Sequence, residues 1–317
     1  MRTLTCFTIL VMLLSGGLGA QQAVSESNRV QFRGGHRFIH NSVVASPFVM
    51  TFVRNAVGIG VAPDLLIGTS VVRATVIDSV PIVGLTGDVL FAGLEFEFQY
   101  AVKRWLGVRA RFKLDARVGN ELGSLVAVGV NTTSEYELGW LFKLASRERF
   151  MLSANVDVTN GDVSVLNIRN LIEDVVDSLP PRLAQNIPVL RAYGGLRFAY
   201  GVSPLLGVTA NLSAGYGESL DRQAQNQASV QGGISTDFDL RPGTGVPLGF
   251  LLGYKFETYI GEARQSFAES SRGEFRIEYT ARPDLGIGIA FNAERVQIDS
   301  KDRYYFYAVR IDLRYFF

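Results

Sequence analysis

Only two histidines, His36 and His40, occur in the 317 residues of this chain, and its one cysteine is Cys6. Nucleophilic or general-base catalysis needs such a group held rigidly beside a partner, and a two-histidine metal site needs a further ligand from a firm frame. Both histidines precede the first segment with strand character, among Arg29, Arg33 and Arg37, and the nearest carboxylate is Glu26. They are therefore expected to sit in a polar tail, and no enzymatic activity, cofactor or metal is expected.

The charged residues, by contrast, are patterned. Over 89–100 the even positions Leu90, Ala92, Leu94, Phe96, Phe98 and Tyr100 are apolar or aromatic, while Glu95, Glu97 and Gln99 alternate with them. Over 108–118 the apolar set Val108, Ala110, Phe112, Leu114, Ala116 and Val118 alternates with Arg109, Arg111, Lys113, Asp115 and Arg117. Period-two alternation puts each set on its own face of a strand. The simplest hairpin register would set Glu97 opposite Arg109 and Glu95 opposite Arg111, pairing opposite charges across the ladder. Alternation states which residues share a face and not which face is inside, so a soluble sandwich or a lipocalin-like barrel competes with a membrane barrel.

About twelve such strands of about ten residues are expected, beginning with a less regular one over 48–61 and ending at 305–317; a poorly alternating first strand or a further hairpin within 70–80 would make ten or fourteen. Short connections rich in Gly, Pro, Asp and Ser alternate with longer ones, as in an up-and-down transmembrane β-barrel with periplasmic turns and outer loops. Tyr100, Phe142, Phe150, Tyr200, Phe238, Tyr279, Tyr315 and Phe317 fall near the turn ends, and Tyr136, Tyr216, Phe256, Tyr305 and Tyr307 near the loop ends. Two aromatic bands favour the membrane reading. On that reading the lumen is lined by Glu95, Glu97, Arg109, Arg111, Lys113, Arg117, Arg197, Arg276, Arg310 and Arg314, among others. Such a set can line a wet channel or close on itself as a salt-bridge network. Inward positions without a charge, such as Ser153 and Asn211, are expected to accept a bulky substitution.

At the end of the chain Tyr315 and Phe317 close an alternation that runs back through Leu313, Ile311, Val309, Tyr307 and Tyr305, with Arg314, Asp312 and Arg310 between. This closing strand resembles the terminal signal of bacterial outer-membrane β-barrels, which implies recognition of Tyr315 and Phe317 by the barrel-assembly machinery. Residues 1–20 read as a cleaved secretory signal: Arg2, a short apolar core, then small residues to Ala20. Its removal takes Cys6 and one of the 31 basic residues, leaving 30 against 30 acidic. That balance argues against a nucleic-acid partner. Residues 21–46 are assigned to a periplasmic tail or plug and 47–317 to the barrel.

The outer loops are oilier than exposure alone requires. In the third, Ile168, Leu171, Ile172, Val175, Val176 and Leu179 follow the helical spacing of one apolar stripe, and Pro180 with Pro181 stops it. Such a helix is expected to fold over the barrel mouth and gate it. Apolar outer loops resemble those of hydrophobic-compound uptake channels of the fatty-acid transporter type. The expected function is an outer-membrane channel or uptake porin for small solutes, hydrophobic or amphipathic ones being favoured by the loops. Outer-membrane lipid, lipopolysaccharide and the solute itself are the expected partners. The competing reading is a structural or surface-interaction barrel whose salt-bridged lumen is closed.

Overall fold

The computed structural model describes residues 32–67, 85–118, 129–166, 184–218, 226–260, 269–297 and 303–317. A small hairpin comes first, β1 (Phe32–Arg33) and β2 (His36–Arg37), turned by Gly34 and Gly35 at φ 58° and 79°. Two consecutive left-handed residues are what a tight two-residue hairpin turn requires, and glycine adopts them without a Cβ clash.

Twelve antiparallel strands then close into one barrel. They are β3 (Phe52–Ile67), β4 (Leu85–Lys103), β5 (Leu106–Val118), β6 (Gly129–Ser146), β7 (Phe150–Leu166) and β8 (Ala184–Ser203). The remainder are β9 (Leu206–Gly217), β10 (Gln227–Asp239), β11 (Leu248–Ile260), β12 (Glu269–Tyr279), β13 (Leu285–Gln297) and β14 (Arg303–Phe316). Each pairs with its neighbours in sequence, and β14 closes on β3 from Tyr307 opposite Val61 to Phe316 opposite Phe52. Closure leaves no strand edge unpaired. A four-residue helix, α1 (Arg241–Thr244), lies in the β10–β11 connection.

The strands are longer than the expected ten residues, running from 11 in β12 to 20 in β8. The first starts at Phe52, later than its alternation suggested, because residues 48–51 belong to an inner segment described below. The β4–β5 register is also shifted. Glu97 stands opposite Arg111, Glu95 opposite Lys113, and Gln99 opposite Arg109. The turn falls at Arg104 and Trp105, and the bulge at Val102 between Ala101 and Lys103 restores the parity that this turn alone would break, so every partner stands two positions from the simplest register and the faces are unchanged.

The exposed face of the barrel is apolar. Ile59, Leu94, Leu212, Leu252, Ile289 and Ile311 all point outward and are exposed, as are Tyr100, Tyr200, Tyr279, Tyr315 and Phe317 at the turn end. Charged residues are instead the buried ones: Arg54, Arg276 and Arg314 are each 1% exposed. Water outside such a wall would face a continuous apolar band, whereas lipid matches it. This polarity excludes the soluble barrel alternative, whose outer face would be the charged one.

Candidate functional site

The lumen divides into two walls with different inward residues. Along β12, β14 and β3 to β8 the inward side chains are charged and join into one belt. Arg54 is its hub, 2.7 Å from Glu95, 3.4 Å from Glu97 and 3.5 Å from Asp312. On one side Asp312 also binds Arg276, which reaches Glu278 at 3.0 Å. On the other side Arg109 lies 3.7 Å from Glu97, pairs with Glu137 and stands 3.4 Å from Asp157, which Arg197 meets at 2.7 Å. Arg111 bridges Glu135 and Glu137, and Arg310 spans Glu95 and Asp115 at 3.3 and 3.4 Å. Lys113 pairs with Asp115 at 2.7 Å, and Arg314 sits 3.5 Å from Glu97 over the ring of Phe52.

Along β9 to β11 several inward positions toward the turn end are glycines, Gly207, Gly233, Gly249 and Gly253 among them, and the chain's own N-terminal segment lies against them. His36 Nε2 is 2.9 Å from Asp237 Oδ2, and the same oxygen accepts from the Ile39 amide at 2.7 Å. Asn41 donates to Ser235 at 2.8 Å, and the Ser42 amide and hydroxyl both donate to Glu274. A Cβ on Gly249, Gly253 or Gly233 would lie 2.3 Å from Ile39, 2.8 Å from Val43 or 2.9 Å from Val44 respectively. Those three glycines are the groove in which the segment rests. At the turn end Phe38, Phe48, Met50, Phe52, Met151, Ala199 and Phe316 form a buried apolar cluster inside the barrel. A cluster of this kind belongs to a protein interior and resists hydration.

His36 and His40 therefore do not sit in a polar tail. Both are buried inside the lumen, and His40 carries no hydrogen-bond partner on either ring nitrogen. The sequence pattern concealed this because residues 36–50 have neither helical nor strand periodicity. Among the described residues no group of His, Cys, Asp or Glu could hold a metal ion.

Of the charged residues singled out in the sequence, Glu95, Glu97, Arg109, Arg111, Lys113, Arg197, Arg276, Arg310 and Arg314 meet in the belt. Arg117 continues the same face of β5 toward the loop end, opposite Phe91. The hub itself, Arg54, escaped notice. Its strand turns Phe52, Ala56, Gly58 and Gly60 inward as well, and small inward residues blur the alternation. They are small because Arg310 packs there: a Cβ on Gly58 would lie 2.6 Å from Arg310 Cγ. Ile168, Leu171, Ile172, Val175, Val176 and Leu179, expected to form one apolar helical stripe, lie outside the described residues. Tyr315 and Phe317 present neighbouring rings on the outer face, centroids 4.9 Å apart.

Beside the belt lies an internal cavity of about 170 Å³. Its lining includes Arg54, Arg109, Arg111, Tyr193, Lys255 and Glu257 from the wall and His40 to Ser46 from the inner segment.

No protein-family model and no curated protein matches the sequence. Among solved structures the chain is similar to the NanC porin at 7% identity and a TM-score of 0.48, covering 84% of this chain and all of that one. It is similar at 9% identity and 0.47 to the β domain of the Bordetella autotransporter BrkA, covering 84% and 100%. An outer-membrane channel from Pseudomonas putida gives 12% identity and 0.47, covering 89% and 100%.

Proposed function

We propose that this chain is an outer-membrane channel for small solutes whose lumen is occupied by its own N-terminal segment. One observation carries the reading: an apolar, lipid-matched exterior encloses a polar cavity, around which buried groups such as His40 and Asn211 keep polar atoms without partners. Buried polar atoms are normally satisfied. A barrel selected only for rigidity gains nothing by leaving them open, whereas a solute path does.

In this reading the short turns face the periplasm. Lys103, Arg104, Arg147 and Arg149 lie exposed at that end beside the lipid-facing Trp105, at the level where phospholipid headgroups would meet them. Residues 36–50 act as a plug that must shift for passage. Single-channel recording in planar bilayers tests it. Wild type should show small or intermittent conductance, and a variant lacking residues 32–46 a larger, steadier one. If both are silent while folded, the channel reading gives way to a closed structural barrel, which the continuous charge belt and the apolar cluster in the lumen would then explain.

The reading extends to assembly. Replacing Tyr315 and Phe317 by Ser should lower the amount of heat-modifiable barrel recovered from outer membranes; unchanged recovery would remove these rings from any part in assembly.

A further inference from the structure

We propose that the inward wall of β8 to β11, toward the loop end, binds a small carboxylate-bearing polar solute with Arg191 as its anchor. The proposal rests on the channel reading above and names the solute class that the path would admit.

Arg191 is 6% exposed. Its Nη1 donates to the Tyr259 hydroxyl at 2.7 Å, and its guanidinium carbon lies 4.6 Å from the Tyr259 ring centre and 5.6 Å from that of Tyr193. Two rings and a hydroxyl thus fix the plane of the guanidinium. Its Nε and Nη2 have no hydrogen-bond partner among the described residues. These two N–H groups share one edge and point in parallel, the arrangement that meets both oxygens of a carboxylate.

The neighbours extend the same preference. Strand pairing sets Gly217 between Arg191 and Gln227, so no β9 side chain separates them. Gln227 is 6% exposed, and among the described residues neither its amide nitrogen nor its amide oxygen has a partner. On the next rung Gly215 stands between Tyr193 and Ser229, which is 1% exposed with an unpartnered hydroxyl. Five orphan atoms on one wall, a donor pair for a carboxylate plus donors and acceptors for hydroxyls, describe a hydroxylated acid. Glu257 lies one rung deeper and accepts from the Tyr193 hydroxyl at 3.1 Å. A second negative charge on the ligand would meet that carboxylate, which disfavours phosphate. Tyr193 and Glu257 also line the internal cavity, so the site lies directly beside it, with Tyr193 between the cavity and Arg191.

The test is calorimetric titration of the full-length protein, folded in detergent micelles, with D-glucuronate, D-glucose and inorganic phosphate in parallel. Glucuronate should bind saturably and glucose about ten-fold more weakly or worse, the worth of one charge-assisted contact. Arg191→Gln should weaken glucuronate by about the same factor. Arg191→Lys keeps the charge and loses the paired donors, and should resemble Arg191→Gln more than wild type. Heat-modifiable migration confirms that each variant is folded, and Gln227→Ala offers a milder second probe if an arginine variant is not. Glucuronate and glucose binding alike, phosphate binding tighter than glucuronate, or an unchanged affinity in Arg191→Gln would each overturn the site. Solute flux into liposomes separates the two claims: glucuronate binding without any flux sinks the channel reading and leaves the site, whereas flux without discrimination or binding sinks the site alone.

Discussion

Arg54 concentrates the energetics of the lumen in one side chain. Buried and within 3.5 Å of three carboxylates, it compensates Glu95, Glu97 and Asp312 at once. The desolvation of such ions offsets much of their attraction, so the belt is not a large net source of stability. Removing one partner is different, since it strands the others. Arg54→Met should therefore destabilise the folded barrel by roughly 3 to 5 kcal/mol, read from urea unfolding in lipid vesicles. A loss below about 1 kcal/mol, the scale of an exposed pair, would mean that water screens the belt. Ser153 belongs at this scale too. Its inward position suggested tolerance to a bulky replacement, but its side chain is fully buried and donates to the Pro47 carbonyl at 2.6 Å, so an arginine there would collide with the inner segment.

At the scale of elements, the inner segment and the β9–β11 wall define each other. The segment has few internal hydrogen bonds and is held by side chains of the wall and of neighbouring β12, with Asp237 and Glu274 each accepting from two groups on it. Gly249→Val would place two methyl groups where Ile39 now packs, its Cβ 2.3 Å from Ile39 Cδ1, while Thr280 Cγ2 at 3.0 Å and the Phe238 carbonyl at 3.1 Å need give only by a few tenths of an ångström. The barrel should stay heat-modifiable, the segment should become accessible to protease from the turn end, and bilayer conductance should rise toward that of the deletion variant. Protection equal to wild type would show that the wall has slack, and that the segment is held by the Asp237 and Glu274 contacts alone.

For the whole molecule the decisive feature is the inversion of polarity between outside and inside. Leu94 points to lipid from the middle of β4, and its replacement by Arg should cost about 2 to 4 kcal/mol if it lies at the bilayer midplane. The same change at Ile260, which also points outward but ends β11 on the loop side, should cost far less because strand ends lie near the interface. Equal costs, measured by urea titration in the same vesicles, would contradict a lipid-spanning band. Closure through β14 and β3 makes this band continuous, so losing any one strand should unfold the barrel as a unit.

Local alternation alone determined most of this architecture. Each strand's two faces and the sorting of Glu95, Arg109, Arg276 and Arg310 onto one face follow from a two-residue period, because side-chain direction along a strand is a local property, whereas the count of twelve comes from the closed sheet. Even the shifted β4–β5 register left those faces intact, since a slip of two preserves parity. Tertiary structure alone decided which face is inside, which carboxylate each arginine meets, and what fills the lumen. Closure brings β14 beside β3 and makes Arg54 a hub for residues on strands far apart in sequence. Residues 36–50 carry no period to read, because an irregular segment takes its conformation from the wall that accepts it. The glycines that form its groove became legible only once Ile39, Val43 and Val44 were seen lying against them.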